Sequence, residues 1–173
     1  SAWHKATDMF GPIPYKEAGK GLITVPYDSQ EEVYKAMFKE LSDAIEVLTK
    51  YADNGNSKLL PNADAVYAGD VHKWVVYANS LMLRLAMRVY YADAALSKKY
   101  ALQAVNHSYG VMKTKDDEAK MERGASLEFK NNLDVLINQY NECRMGSSML
   151  AYLGGYQDPR LPKYFNTSTV SQA

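Results

Sequence analysis

The segment from residue 70 to residue 89 constrains the fold of this chain more than any other part of the sequence. Its apolar side chains recur at α-helical spacing, and further apolar residues occupy the other faces. A helix that is apolar nearly all round is typical of the buried centre of a helical protein. Asp70 precedes it as a suitable N-cap residue. We therefore predict a core helix with apolar positions at Trp74, Val75, Val76, Tyr77, Ala78, Leu81, Met82, Leu83, Leu85, Ala86, Met87 and Val89.

Three polar residues of this helix need partners. Arg84 and Arg88 are four residues apart and therefore share one face. We expect them to reach solvent along apolar surface, or to pair with carboxylates on a neighbouring helix. Asn79 should bond to neighbouring backbone, because an unsatisfied amide inside a protein is costly.

A second helix has the clearest start in the sequence. Ser29 and Glu32 form the S-x-x-E pattern of a capping box. The polar run from Asp53 to Asn56 should end the helix. Between these limits the apolar residues follow the i, i+3, i+4, i+7 pattern of an amphipathic helix, at Val33, Tyr34, Met37, Phe38, Leu41, Ala44, Ile45 and Leu48.

The remaining segments also favour helices and loops. A short helical run at residues 2–6 precedes a loop that Pro12 and Pro14 hold rigid. Residues 94–108 predict a helix with Gly110 in the position of a C′ glycine, and residues 127–152 predict partial helix. Sustained alternation is absent, so we predict an all-α fold of tetratricopeptide-like helix pairs in one domain, residues 1–173. The sequence shows no convincing repeat of fixed period.

Composition excludes several classes of protein. Lys plus Arg and Asp plus Glu are 20 each, so the formal net charge is zero, which argues against nucleic-acid binding through a broad basic field and against a polybasic membrane surface. The single cysteine, Cys143, excludes an internal disulfide framework. Fourteen tyrosines are unusual; they suit sugar faces, protein interfaces or half-buried helix contacts.

No motif for catalysis or metal binding is evident. His4, His72 and His107 lack the spacing of a zinc site, and Cys143 has no histidine near it in sequence. Nucleophile elbows, P-loops and dinucleotide-binding motifs are missing. Paired carboxylates of a glycoside hydrolase stay possible, since such residues meet only in the folded protein. We predict no catalytic residue, no cofactor and no metal site.

Three separated segments together resemble the SusD/RagB family of nutrient-binding lipoproteins. Residues 8–15 are similar to the family's D-x-(F/Y)-G-P-(I/V)-P-Y loop. Residues 67–74 match a Y-x-G-D-x-x-x-W lead, which is followed at residues 78–88 by a helix similar to A-N-S-L-x-L-R-L-A-M-R. Residues 155–161 resemble its G-Y-x-D-P-R-L turn. The order of the segments makes the match specific, and it extends from about Trp3 to Phe165.

The resemblance implies an all-α fold and a surface-exposed protein of the outer membrane. Such a protein binds oligosaccharide or another nutrient and delivers it to a SusC-like, TonB-dependent transporter, without being an enzyme. Family members are longer than this chain. We therefore expect an interior fragment, with the lipoprotein signal and lipid anchor before Ser1 and further sequence after Ala173. Cys143 does not suit the anchor.

The motifs identify the family but do not locate its ligand site, because we interpret most of their residues as structural. The resemblance carries over no sugar-contacting residue, since these vary between family members. Chemistry alone suggests aromatic side chains beside planar polar groups, which are Tyr140, Asn141, Glu142 and Arg144, and Tyr152 with Tyr156. A helical-repeat scaffold for peptide or protein, without sugar binding, is the alternative function.

Overall fold

A computed structural model describes residues 2–121, 132–140 and 143–165. These residues form helices and loops, and they contain two isolated β-bridges but no β-strand. The all-α prediction is thus confirmed. The chain divides into two compact units, Ser1–Ser126 and Leu127–Ala173, which are described separately. The single-domain organisation stays a prediction.

Within residues 2–121, the first unit contains four α-helices and one short 3₁₀ helix. They are α1 (Ala2–Phe10), α2 (Gln30–Asp53), α3 (Val71–Arg88), α4 (Ala94–Val105) and the 3₁₀ turn Lys115–Asp117. Helix α3 packs against both α2 and α4, and α1 packs on α2. This arrangement places α3 at the centre, as its apolar sequence predicts.

Helix α2 begins and ends where the sequence indicates. The Ser29 side chain accepts a hydrogen bond from the backbone of Glu32, and the Glu32 carboxylate accepts one from the backbone of Ser29. The helix ends at Asp53, and Asn54 is its C-cap. Both ends depend on interactions between residues close in sequence, which is why the sequence predicts them.

The core lies where α2, α3 and α4 meet. Phe38, Val75, Met82 and Leu85 are almost wholly buried there. The Phe38 ring stacks on that of Tyr100 in α4, with centroids 4.2 Å apart. Helix α3 is nevertheless not buried all round: Met87 is 59% exposed, because α2 and α4 cover only part of its circumference.

Helix α4 is shorter than its sequence indicates, and Gly110 is not its C′ residue. The helix ends at Val105, and Asn106 is the C-cap. Gly110 lies in the following loop at φ +68°, where its carbonyl oxygen accepts a 2.9 Å hydrogen bond from Nδ2 of Asn79. This bond provides the backbone partner expected for Asn79, which is almost wholly buried.

The proline-containing loop is extended and fastened at its base. Ile13 exchanges two backbone hydrogen bonds with Asp28, at 3.1 and 2.9 Å. The Asp28 carboxylate also accepts hydrogen bonds from the backbone nitrogens of Tyr15 and Lys16. These bonds hold residues 13–16 against Asp28, two residues before α2 begins.

The second unit consists of short helical elements. Helix α5 (Asn132–Asp134) continues into a π-helical turn (Val135–Gln139), and α6 (Ser147–Gly155) and α7 (Leu161–Tyr164) follow. Helix α7 has Pro162 in its first turn, and Arg160 is its N-cap. Just before it, the Asp158 carboxylate accepts a 2.9 Å hydrogen bond from the backbone nitrogen of Arg160.

Candidate functional site

Two exposed tyrosines form a nearly parallel pair at the end of α6. Tyr152 and Tyr156 are four residues apart and therefore lie on one side of the helix. Their ring centroids are 6.4 Å apart and their planes differ by 16°. Tyr152 is 67% exposed and Tyr156 is 80% exposed. The pair presents apolar ring faces and phenol hydroxyls to solvent on one small surface.

The backbone around this tyrosine pair is well fastened. The amide of Tyr156 donates to the carbonyl of Tyr152 at 3.1 Å, and the amide of Asp158 donates to the carbonyl of Leu153 at 2.8 Å. Leu153, next to Tyr152 in the helix, is buried. A Cβ on Gly155 would meet no heavy atom within 4 Å, apart from its chain neighbours and its own helix backbone, so there is free space beside this residue.

An ion pair braces the turn that follows the tyrosine pair. The guanidinium of Arg160 donates through Nε and Nη2 to the carboxylate of Asp158. Its hydrogen bonds and positive charge lower the pKa of Asp158 to about 2. The carboxylate is therefore ionised at neutral pH, and its oxygens are already engaged within the turn.

Tyr140 and Arg144 are the other predicted site residues that the structure describes. Tyr140 is exposed and follows the π-helical turn, where its amide donates to the carbonyl of Val135 at 3.2 Å. The Arg144 guanidinium donates to the carbonyl oxygen of Cys143 at 2.9 Å. Asn141 and Glu142 lie outside the described residues. The structure thus brings Tyr152 and Tyr156 together, and their role in binding stays a prediction.

A polar cleft in the first unit was not predicted from the sequence. It has a volume of about 350 Å³, and Asp8 is among the residues that line it. The Asp8 carboxylate accepts hydrogen bonds from the hydroxyl of Tyr34 at 2.7 Å and from the amide of Gln30 at 3.2 Å. It also forms an ion pair with Arg88, which confirms that this arginine pairs with a carboxylate on a neighbouring helix.

The polar side chains that line this cleft already have hydrogen-bond or ion-pair partners within the protein. Burial and the hydrogen bond to Asp8 raise the pKa of Tyr34, so the phenol stays a neutral donor. Asp93 caps α4 by accepting a hydrogen bond from Leu96, and Glu31 pairs with Lys35. We therefore interpret these contacts as structural, because Asp8 links α1 to Tyr34 of α2 and to Arg88 of α3. Long-range pairs of this kind leave no local signal in the sequence.

The described ranges contain neither a metal-binding cluster nor a membrane-spanning helix. No three His, Cys, Asp or Glu side chains there are grouped as a metal ion would require. In the same residues, no helix combines the length and the apolar character needed to cross a bilayer.

Comparison with solved structures shows close structural relatives. A chitin-binding SusD homolog from Flavobacterium johnsoniae is 41% identical with a TM-score of 0.87, over 96% of this chain and 34% of that chain. A SusD homolog from Bacteroides vulgatus is 34% identical with a TM-score of 0.86, over 99% and 34%. One from Bacteroides uniformis is 43% identical with a TM-score of 0.78, over 93% and 33%. This chain thus spans about a third of the length of these relatives.

Comparison with models of protein families gives the same family, although a search of individual curated proteins does not. No curated protein sequence matches this chain. The family model described as "Susd and RagB outer membrane lipoprotein" matches residues 1–173, the whole of the chain. The motifs at residues 8–15, 67–74 and 155–161, the helical fold and the solved relatives agree with that match, and the chain belongs to the SusD-like family.

Proposed function

We propose that this chain is part of a glycan-binding protein, and that Tyr152 and Tyr156 form part of its binding surface. The exposed, nearly parallel tyrosine pair in a SusD-like chain is the observation that carries this proposal. The chitin-binding homolog among its solved relatives supports a carbohydrate ligand.

The chemistry of the pair suits a pyranose. A sugar ring has an apolar face of C–H groups, which packs on an aromatic ring, and hydroxyls that need donors and acceptors around the edge. The Tyr152 and Tyr156 rings offer the flat apolar surface, and their phenol oxygens can both donate and accept. Tyr140, Asn141 and Arg144 are proposed as further polar contacts in the same unit.

We further propose where the protein works. The full-length protein would be a lipoprotein on the surface of the outer membrane, anchored by sequence that precedes this chain. It would deliver oligosaccharide to a SusC-like, TonB-dependent transporter. The family description as an outer membrane lipoprotein supports this location. The protein would bind its ligand without cleaving it, and no cofactor would take part.

Calorimetry on the full-length protein tests the proposal. The panel contains chitin, plant and host oligosaccharides, together with a parallel set of peptides. We expect a glycan to bind, and Tyr152→Ala or Tyr156→Ala to weaken binding about tenfold or more, by analogy with nucleobases, whose stacking on an aromatic side chain contributes about 1–3 kcal/mol. Tyr152→Phe should retain most of the affinity because it keeps the ring.

The control variant is Tyr91→Ala, which removes a 97% exposed tyrosine of the first unit. It should leave glycan affinity unchanged. Peptide binding without any glycan response would favour the protein-binding scaffold instead. Release of reducing ends from a bound glycan would show a glycoside hydrolase.

A further inference from the structure

His4 carries a buried polar atom that has no partner. The residue is 3% exposed, and its Nδ1 is the one buried side-chain nitrogen or oxygen without a hydrogen bond in the described parts of the chain. Native proteins satisfy the large majority of such atoms, so each exception requires an explanation. The residue lies on α1 and borders several depressions of the first unit, of which two, of about 470 and 370 Å³, are also lined by Lys5 and Arg84.

Two positive charges line the same depressions without an ion-pair partner in the part of the chain that the structure describes. Lys5 and Arg84 border both of them, together with His4. Neither side chain forms an ion pair with any residue that the structure describes. Arg88, at the edge of the shallower depression, differs because Asp8 neutralises it. The result is a local excess of positive charge in a chain whose net charge is zero.

The protonation of His4 suits a hydrogen-bond donor to an anion. Burial lowers its pKa, Asp8 acts in the opposite direction, and Arg84 and Arg88 lower the pKa further. At neutral pH the ring is therefore uncharged and carries a single N–H. A neutral imidazole can donate that N–H to an anion while Lys5 and Arg84 supply the charge.

The larger depression also offers a surface for a sugar ring. Tyr77 lines it and is half-buried, with its ring packed edge to face against Trp74 at 5.6 Å. Ser80 lies beside it. An aromatic ring can pack on a pyranose, and an arginine in the same depression can bind a carboxylate through two parallel hydrogen bonds, so together they suit a sugar acid.

We propose that the groove formed by His4, Lys5, Tyr77 and Arg84 binds the carboxylate of a uronic acid, as a second sugar site in the first unit. The site rests on the proposed glycan-binding function and gives it a substrate class, acidic oligosaccharides. Arg84 and Lys5 hold the carboxylate, and the Tyr77 ring packs on the pyranose.

Calorimetry on the full-length protein with trigalacturonic acid tests this proposal. The matched ligand is the same trimer with its carboxylates methyl-esterified, which keeps the rings and removes the charge. We expect the acid to bind at least about tenfold more tightly than the ester, as for hydrogen bonds to charged groups. Arg84→Gln and Lys5→Gln should each weaken binding of the acid to a similar extent. Added salt should weaken it too.

The control is Lys98→Gln, which removes an exposed lysine of α4 that makes no ion pair with the described residues. It should leave the affinity unchanged. Equal binding of acid and ester, or unchanged binding in both groove variants, would overturn the proposal. So would tight binding of a tri-glutamate peptide without a response to the sugar acid.

The tyrosine variants separate this proposal from the one on which it rests. Tyr152→Ala should retain the affinity for trigalacturonic acid while weakening binding of the neutral glycan about tenfold or more. Arg84→Gln should show the reverse. If neutral glycans bind through the tyrosine pair and trigalacturonic acid does not bind, the uronate site alone is wrong. If the acid binds through Arg84 and no neutral glycan binds, the tyrosine proposal alone is wrong.

Discussion

The indole nitrogen of Trp74 donates a 2.7 Å hydrogen bond to Oδ2 of Asp64. The same carboxylate accepts hydrogen bonds from the backbone nitrogens of Val66, Tyr67 and Gly69, at 2.9, 3.3 and 2.8 Å. One side chain thus folds the loop before α3 and ties it to the first turns of that helix. These residues belong to the family motif at 67–74 or lie just before it, and here they act as scaffold.

Asp64→Asn should destabilise the protein by about 2 kcal/mol or more. The amide removes the negative charge and turns an N–H₂ group towards donors, which leaves some of them unsatisfied. Urea denaturation measures the change. Asp43→Asn is the control, because Asp43 makes only an exposed pair with Lys39 on α2 and should change stability by less than about 0.5 kcal/mol. Equal effects of the two substitutions would contradict the scaffold role.

Gly69→Ala and Gly19→Ala should differ although both glycines have φ +78°. Each substitution places a Cβ in the left-handed region, at a cost of about 1–2 kcal/mol. At Gly69 the new atom would also lie 2.5 Å from the carbonyl oxygen of Leu59, whereas nothing lies within 4 Å at Gly19. We expect an additional loss of about 1–3 kcal/mol at Gly69 in chemical denaturation. A similar loss at both positions would show that the loop at Gly69 relaxes freely.

Leu85→Ala should destabilise the first unit by about 2–5 kcal/mol, because Leu85 is almost wholly buried in the core and its truncation leaves a cavity. Chemical denaturation measures the loss. Leu102→Ala provides the matched change at a half-exposed position of α4, where about 0.5 kcal/mol or less is expected. A loss below about 1 kcal/mol for Leu85→Ala would place α3 at the surface.

His107 should make stability fall on mild acidification. The amide of Tyr109 donates to its Nδ1 at 3.2 Å, so the proton lies on Nε2, which faces Oγ1 of Thr49 at 3.3 Å. Burial lowers the pKa of His107, while Asp53 opposes this. The unfolded chain therefore binds a proton first, at about pH 6.5, and the folded state only at lower pH.

Because the unfolded chain takes up this proton at a higher pH than the folded protein does, acidification destabilises the folded state. The contribution of His107 is fully present above about pH 6.5 and is lost as the pH falls from there towards the folded pKa. Buried His4, whose pKa is also lowered, contributes with the same sign. Denaturation of the wild type and of His107→Gln between about pH 8 and pH 5 measures it. The variant should lose less stability on acidification, and parallel profiles would contradict the prediction.

The sequence alone determines the parts of the fold that depend on neighbours along the chain. The capping box of Ser29 and Glu32, the N-cap Asp70 and the apolar periods of α2 and α3 are contacts between residues three or four apart. The family motifs are likewise continuous stretches of sequence. The same local spacing places Tyr152 and Tyr156 on one side of a helix.

Only the tertiary structure decides which distant groups meet. Arg84 and Arg88 are four residues apart on one face of α3, yet Arg88 pairs with Asp8 on α1 while Arg84 forms no ion pair with the described residues. Gly110 looks like a helix terminator, but its carbonyl satisfies the buried amide of Asn79, 31 residues earlier in the chain. Such pairings depend on how α1, α3 and the loops pack together. Because that packing is set by contacts across the whole unit, no short stretch of sequence encodes it.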